Sequence, residues 1–288
     1  MNTMTDLQTA LLDLLYEIRD AEIKLIIGGG FGIHLKANYI RNNRDRIFFR
    51  EKPEARSTND LDLFLRPELL IHSDKLKPLA EAITKLGYNV ITGAEKYQFA
   101  KQGPGDSEAG SIKIDILTGP RNTFEGTSVK TDDRRARPQP SVGIHAHTVN
   151  EAPTLKEGLL VVPLKGNLSS GKPWDDEISL PHPYTYLMMK LFAFRDRRND
   201  PDKDLGRYHA LDLYTILANT TETEWEEAKG FRDRFKNESY VSQAKEIVSE
   251  HFSELGQLGL IRLRESPYYR PEFQLTEFMS ALKELFPL

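Results

Sequence analysis

The stretch "RSTNDLDLFL", Arg56–Leu65, sets two aspartates one residue apart inside an apolar run. In a β-strand, side chains at i and i+2 share a face and lie roughly 6.6 Å apart. Read this way, Asp60 and Asp62 project together while Leu61 and Leu63 face the other side. One face of the strand answers to a core, and the other offers carboxylates to a cleft. "SIKIDIL" (111–117) repeats the device, with Asp115 between Ile114 and Ile116 and on the same face as Lys113.

Three carboxylates on neighbouring strands would repel one another and raise each other's pKa if left bare. A divalent cation removes that penalty, and Mg²⁺ prefers hard carboxylate oxygens, completing its shell from water and phosphate. Two such ions can clamp the attacking and leaving oxygens of a phosphoryl displacement. On this reading Asp60 and Asp62 hold Mg²⁺ (or Mn²⁺). Asp115 completes the second site and helps deprotonate an incoming hydroxyl. Upstream, "IKLIIGGGFGIHL" (23–35) breaks a short apolar strand at Gly28, Gly29 and Gly30 and then looks helical. Backbone N–H groups freed of Cβ atoms, at a helix N-terminus, suit a triphosphate. The turn lacks the third glycine of a dinucleotide fingerprint, since Ile33 stands there, and lacks the G-K-[ST] ending of a P-loop.

Composition bounds the rest. With 288 residues, 39% of them hydrophobic and 28% charged, the chain reads as globular, with one large or two ordinary domains. No apolar run approaches the roughly 20 residues of a membrane span. The first 22 residues carry apolar side chains at helical period interrupted by acids, so they read as a helix and not as a leader. There is no cysteine, which excludes disulfides, thiolate metal sites and cysteine catalysis. A cytoplasmic location is the expectation. The net charge of −4 argues against non-specific coating of nucleic acid.

Along the chain, the spacing predicts helices over 5–20, 31–41 and 74–86. Strands are expected over 23–27, 47–49, 60–66 and 111–117, with strand-like stretches at "YNVITG" and "EKYQFAKQ" and a turn at "GPGDSEAG". "KTDDRRARPQP" reads as a long loop and 158–164 as the last strand. "GNLSSGKPWDDEISLPHP" reads as a boundary. Helices follow over 182–196, 204–219, 222–236, 240–255 and 272–285. The expected architecture is an α/β (α+β) mixed-sheet domain over 1–165, then an all-helical C-terminal domain over 166–288.

The order strand, Gly-Gly, helix, D-x-D on a strand, then a lone Asp on a strand resembles the nucleotidyltransferase superfamily of the DNA-polymerase-beta-like fold. Within it, "IIGGGFGIHL … RSTNDLDLFL … IKIDIL" is similar to the AbiEii-type toxin branch. The rear stretch "LMMKLFAFRDRRNDPDKDLGRYHALDLYTIL" supplies a helical Lys190, then Lys203-Asp204, then Asp212. The resemblance covers roughly residues 23–118 and 184–217. It implies transfer of a nucleoside monophosphate from an NTP to a hydroxyl, with pyrophosphate released. It implies Gly28 and Gly29 as nucleotide-binding residues and Asp60, Asp62 and Asp115 as metal ligands. Lys190 would be a phosphate contact and Asp204 a further functional acid. The acceptor it allows is RNA, a tRNA end included, and the physiological role a toxin with a cognate antitoxin. A small-molecule (antibiotic) or protein acceptor, or a non-catalytic nucleotide- or RNA-binding module, are the alternatives. The loop between Gly29 and Asp60 is longer than the minimal spacing, which leaves open a role as a substrate loop.

Other features have plainer readings. His34 reads as a helix residue without chemistry. His145 and His147 have metal-like i, i+2 spacing but no nearby carboxylates, and read as surface strand. Lys190 on an apolar helix can snorkel, and Asp204 can serve a helix dipole. The basic runs at 41–56, 134–137 and 195–198 read either as solvated loops or as a grip on an RNA backbone. Phe48 and Phe49 would stack a base or anchor their loop.

Overall fold

The computed structural model describes residues 3–43, 47, 49–50, 53, 55–56, 58–94, 96–101 and 111–287. Phe48, Arg44, Arg46, Lys52 and the turn expected at 103–110 lie outside them. The protein is mixed α/β, with parallel and antiparallel strands in one sheet and helices through the C-terminal part. The chain divides into two compact units. One comprises Met1–Gly32, Ser57–Asn150 and Leu159–Leu180, and the other Ile33–Arg56, Glu151–Gly158 and Pro181–Leu288.

In the sheet unit, α1 (Thr3–Glu17) arises from the expected spacing. Leu7, Leu11, Leu14, Leu15 and Ile18 are all buried. The strands are β1 (Ile26–Ile27), β2 (Asp60–Leu65), β3 (Asn89–Val90), β4 (Gln98–Lys101), β5 (Ile112–Thr118), β6 (Lys130–Thr131), β7 (Arg135–Arg137), β8 (Ala146–Thr148), β9 (Leu160–Asn167) and β10 (Pro173–Leu180). Their order across the sheet is β6-β7-β8-β5-β2-β1-β10-β9. β5 shares one edge between two partners. β4 runs antiparallel along its first half and β8 parallel along its end. Leu61, Leu63, Leu65, Ile114 and Ile116 form the buried face, against which α1 packs. Fully burying each such side chain contributes about 1.5–3 kcal/mol. The helices α2 (Gly29–Asn43), α3 (Pro67–Ile71) and α4 (Lys77–Lys85) punctuate the strands.

Two expectations about chain layout are corrected. The boundary at 165 falls inside β9, because the sheet continues through a hairpin into β10, which pairs with β9 over eight positions. The first half of β10, "PWDDE", exposes Pro173, Asp175 and Glu177 on one face, and of the two half-buried residues on the other only Trp174, edge-on to Tyr16 at 4.9 Å, is apolar, so no apolar alternation shows. The loop "KTDDRRARPQP" contains the β6–β7 hairpin, whose strands are too short and charged for a period to show. Only Ala136 of β7 turns into the core.

The helical unit holds α5 (Pro183–Arg197), α6 (Arg207–Ala218), α7 (Glu222–Phe235), α8 (Ser239–His251), α9 (Leu258–Arg264) and α10 (Leu275–Leu285), together with most of α2. Its core gathers Tyr184, Leu187, Leu191, Leu211, Tyr214 and Phe278 among others. Tyr214 stacks on Phe273 at 4.3 Å. Thr221 and Glu224 form a reciprocal capping box at the start of α7, a device that contributes about 1 kcal/mol. Phe49 is buried in this core, which settles it as an anchor of its loop. Among the described residues, no helix is long and apolar enough to cross a membrane.

Candidate active site

β2 and β5 run parallel, and their register sets Asp62 directly opposite Asp115 and Asp60 opposite Lys113. Register partners point to the same face of a sheet, and so do residues two apart in a strand. Asp60, Asp62 and Asp115 therefore share one face, the half-exposed one, while the intervening leucines and isoleucines fill the core. On the other flank of β5, Gln98 of β4 also stands opposite Asp115. The Gln98 side chain hydrogen-bonds the Asp115 carboxyl.

The glycine turn closes over these acids. The Gly28 N–H donates to the Asp62 carbonyl at 2.8 Å, tying the end of β1 to β2. Gly29 has a φ of +59°, and a Cβ built on it would stand 1.7 Å from Asp62 Oδ2. A Cβ on Gly28 would meet the Phe64 ring at 2.4 Å. Only glycine fits at either position, and the left-handed φ at Gly29 compounds the demand. The Asp62 carboxylate thus sits against the first residue of α2, where unpaired N–H groups and the helix dipole favour negative charge. Gly30 follows as the second residue of α2 and is buried.

Asp115 is the perturbed member. Burial, then the nearby Asp62 and Asp60 charges, push its carboxyl up to about 7, against partial relief from Gln98 and Lys113. Its Oδ1 is buried and, among the described residues, accepts no hydrogen bond. A buried, orphaned carboxylate oxygen facing two further carboxylates fits a divalent cation bound by hard oxygen ligands. Among the described residues, no three acidic or imidazole groups are already drawn into a closed ligand cluster. The donors share a face without forming a cage, and Mg²⁺ usually takes only one or two carboxylates from protein.

Lys190 and Asp204 belong to the helical unit. Lys190 is 7% exposed, and its Nζ donates to Asp212 Oδ2 at 2.7 Å. Arg56 Nε donates to the same carboxylate at 3.2 Å. Burial alone would raise the Asp212 pKa, but Lys190 and Arg56 outweigh it and hold the carboxyl down at about 2. Beside them, burial and Lys190 keep His209 well below its ordinary value, hence neutral. Asp204 sits in a tight turn between α5 and α6, with left-handed backbone at Asp204 and Leu205, and accepts from Arg207 Nη2 at 3.2 Å. Arg56, Asp212 and Gln98 have site-like environments that the sequence reading did not assign. Alternation across "YQFAK", with Phe99 inward, is the signal that places Gln98 on the acid face. Nothing in the sequence announces the pairing of Arg56 with Asp212, which are 156 residues apart.

A recess of the sheet unit, about 700 Å³, is lined by Lys24, Leu25, Arg66 and Lys75 among others. It lies at the strand ends opposite to Gly28 and Asp60, away from the acids. A second recess of about 550 Å³, lined by Tyr97, Arg134, Arg135 and His147, opens beside β8. Compared with family models, curated proteins and solved structures, the chain matches none significantly.

Proposed function

We propose that the chain is a metal-dependent nucleotidyltransferase of the DNA-polymerase-beta-like fold, in the manner of the AbiEii-type branch that its motifs resemble. The observation that carries the reading is the parallel register that sets Asp62 opposite Asp115, with Asp60 on the same face and Gly29 pressed against Asp62. The triphosphate of an NTP meets the N–H groups of Gly29 and Gly30 at the start of α2, while the Gly28 N–H stays with the Asp62 carbonyl. Asp60 and Asp62 hold the cation, with Asp115 completing the set. When bound, Mg²⁺ would neutralise these carboxylates and polarise the α-phosphate.

The acceptor hydroxyl gives its proton to the Asp115 carboxylate. Its oxygen forms a bond to the α-phosphorus as the bridging bond to the β-phosphate breaks, and pyrophosphate departs with the bonding pair. RNA is the acceptor class the resemblance brings, and a toxin role with a cognate antitoxin comes with it.

Incubation with α-labelled NTPs, Mg²⁺ and total RNA tests the reading. The wild type labels RNA, and Asp62→Ala does not. Labelling of aminoglycosides or of protein instead of RNA would move the acceptor class. Full activity in Asp62→Ala would sink the assignment of the acids. Growth inhibition by the wild type and not by Asp60→Ala tests the toxin role.

A further inference from the structure

The half-exposed face that carries the acids does not end at β5. Leu117, two residues beyond Asp115, stands opposite His147 of β8, and His147 stands opposite Arg135 of β7. Arg137, two further on, stands opposite Lys130 of β6. All these side chains share the acid face by register, while Ala136, Ala146 and Thr148 fill the core. Taking one step of two residues and one strand spacing, the Cα atoms of Asp115 and His147 lie about 8 Å apart.

The seam where β4 and β8 divide the edge of β5 brings two rings together. Tyr97 accepts from the Ile116 N–H through its carbonyl at 2.8 Å, which fixes it beside the end of β4. Its ring meets the His147 ring at 5.8 Å, tilted by 41°. Both line the recess of about 550 Å³, with Arg134, Arg135, Asp132, Asp133 and Gly93. The recess itself is lined by two cations, Arg134 and Arg135, and two acids, Asp132 and Asp133; beyond it Arg137 and Lys130 continue outward by register, and Lys96 lies near His145. Asp132 is already committed to Arg135, at 2.8 Å, and to Arg137, at 3.3 Å. Arg134 is exposed.

We infer that this Tyr97–His147 shelf with its basic rim is the acceptor subsite, and that it takes the 3′-terminal nucleotides of a single-stranded nucleic acid. The word acceptor rests on the nucleotidyltransferase reading, whereas the binding chemistry does not. Aromatic faces beside a cationic track are the means by which single strands are held without base-specific hydrogen bonds. The track runs outward from the acids over β8, β7 and β6, so the phosphates meet Arg134 and Lys130 and the positive charge that Arg135 and Arg137 keep after sharing the single carboxylate of Asp132, while the terminal base rests on the shelf. A small neutral acceptor would have no use for cations extending to the sheet edge.

The test is fluorescence anisotropy of the full-length protein with a fluorescein-labelled single-stranded RNA, repeated with DNA of the same sequence. Arg134→Glu changes an exposed side chain, and Tyr97→Ala removes one stacking face. Each is expected to weaken oligonucleotide binding roughly tenfold or more. Arg134→Glu should also flatten the dependence of log K on log salt by about 0.7 for the phosphate contact it removes. Melting curves confirm folding of both variants. Affinities within twofold of the wild type in both variants would overturn the inference, as would a wild type that binds neither oligonucleotide at low salt. Binding of labelled NTP is measured separately on the wild type. Loss of oligonucleotide binding in the variants, with no NTP bound by the wild type, would uphold the shelf and refute the transferase reading.

Discussion

Replacing Asp115 with Asn should stabilise the protein while abolishing nucleotidyl transfer. In the folded chain the carboxyl is raised from 3.8 to about 7. A group whose folded pKa lies above its unfolded value binds more protons when folded. Its contribution to stability therefore falls as pH rises from the unfolded to the folded pKa. At about 1.36 kcal/mol per pKa unit, ionised Asp115 costs roughly 4 kcal/mol near pH 8, before discount for solvent reaching a half-exposed face. The amide keeps the shape and the neighbourhood of Gln98 without the charge, so a measured gain of about 1–3 kcal/mol is expected, or on the order of 5 °C in Tm. The gain should shrink by more than half between about pH 8 and pH 5, where the wild-type carboxyl becomes protonated in place. Urea titrations of both proteins at the two pH values, followed by intrinsic fluorescence, give the numbers. Mg²⁺ should raise the wild-type midpoint more than that of Asp115→Asn, which keeps Asp60 and Asp62 but not the third carboxylate. A variant less stable than the wild type near pH 8, or a difference independent of pH, would refute the account of the site.

Four other outcomes follow from the same geometry. Gly29→Ala places a Cβ where Asp62 Oδ2 now stands, 1.7 Å away, on a backbone with φ of +59°. It should cost about 1–3 kcal/mol of stability and displace the carboxylate, read as loss of both Mg²⁺-dependent stabilisation and transfer. Asp212→Ala leaves Lys190 and Arg56 without their shared carboxylate and should cost about 3–5 kcal/mol by urea unfolding. Lys190→Met, which leaves Asp212 with Arg56, should cost roughly half as much. His182 accepts from the Tyr184 N–H through Nδ1 at 3.1 Å and is 1% exposed. Burial first, then Lys36, lowers its pKa from 6.5 to about 4. A lowered histidine gives stability that is present above the unfolded pKa and lost as pH falls through the window down to the folded one. Stability should drop by about 2–3 kcal/mol between pH 7 and pH 4.5. Measuring it in Asp115→Asn removes the opposing carboxyl, and a flat profile there would refute it.

The parts legible in the sequence are those in which side-chain chemistry and backbone period coincide. The alternation Asp-Leu-Asp-Leu placed the acids of β2 on one face, and "IKIDIL" did the same for β5. A sequence does not print strand order or register, so nothing in it said that Asp62 and Asp115 would stand opposite one another. β10 and the β6–β7 hairpin were illegible because their exposed halves are charged, and period-2 patterning needs one buried face. The i, i+2 histidines were visible, but the position of His147 beside Tyr97 depends on two strands sharing one edge of β5. Lys190 could be read as a phosphate ligand because a lysine on an apolar helix is conspicuous. The partner that claims its ammonium, Asp212, lies 22 residues on and faces it only once α5 and α6 have packed.

The chain passes between its two units five times, at 32, 56, 150, 158 and 180. No single cut therefore yields either unit whole. A fragment ending at 165 would lack β10, the parallel neighbour of β1, and with it the support beneath the glycine turn. During synthesis, the sheet cannot close until residue 180 has left the ribosome, and the segment 33–56 must wait longer still for its helical partners. Such interleaving gives non-local contacts a large share of the folding problem, which slows folding and exposes unpaired edges meanwhile. Truncation series meant to separate catalysis from binding in this protein will therefore report loss of folding, and point substitutions are the tool that can divide the two.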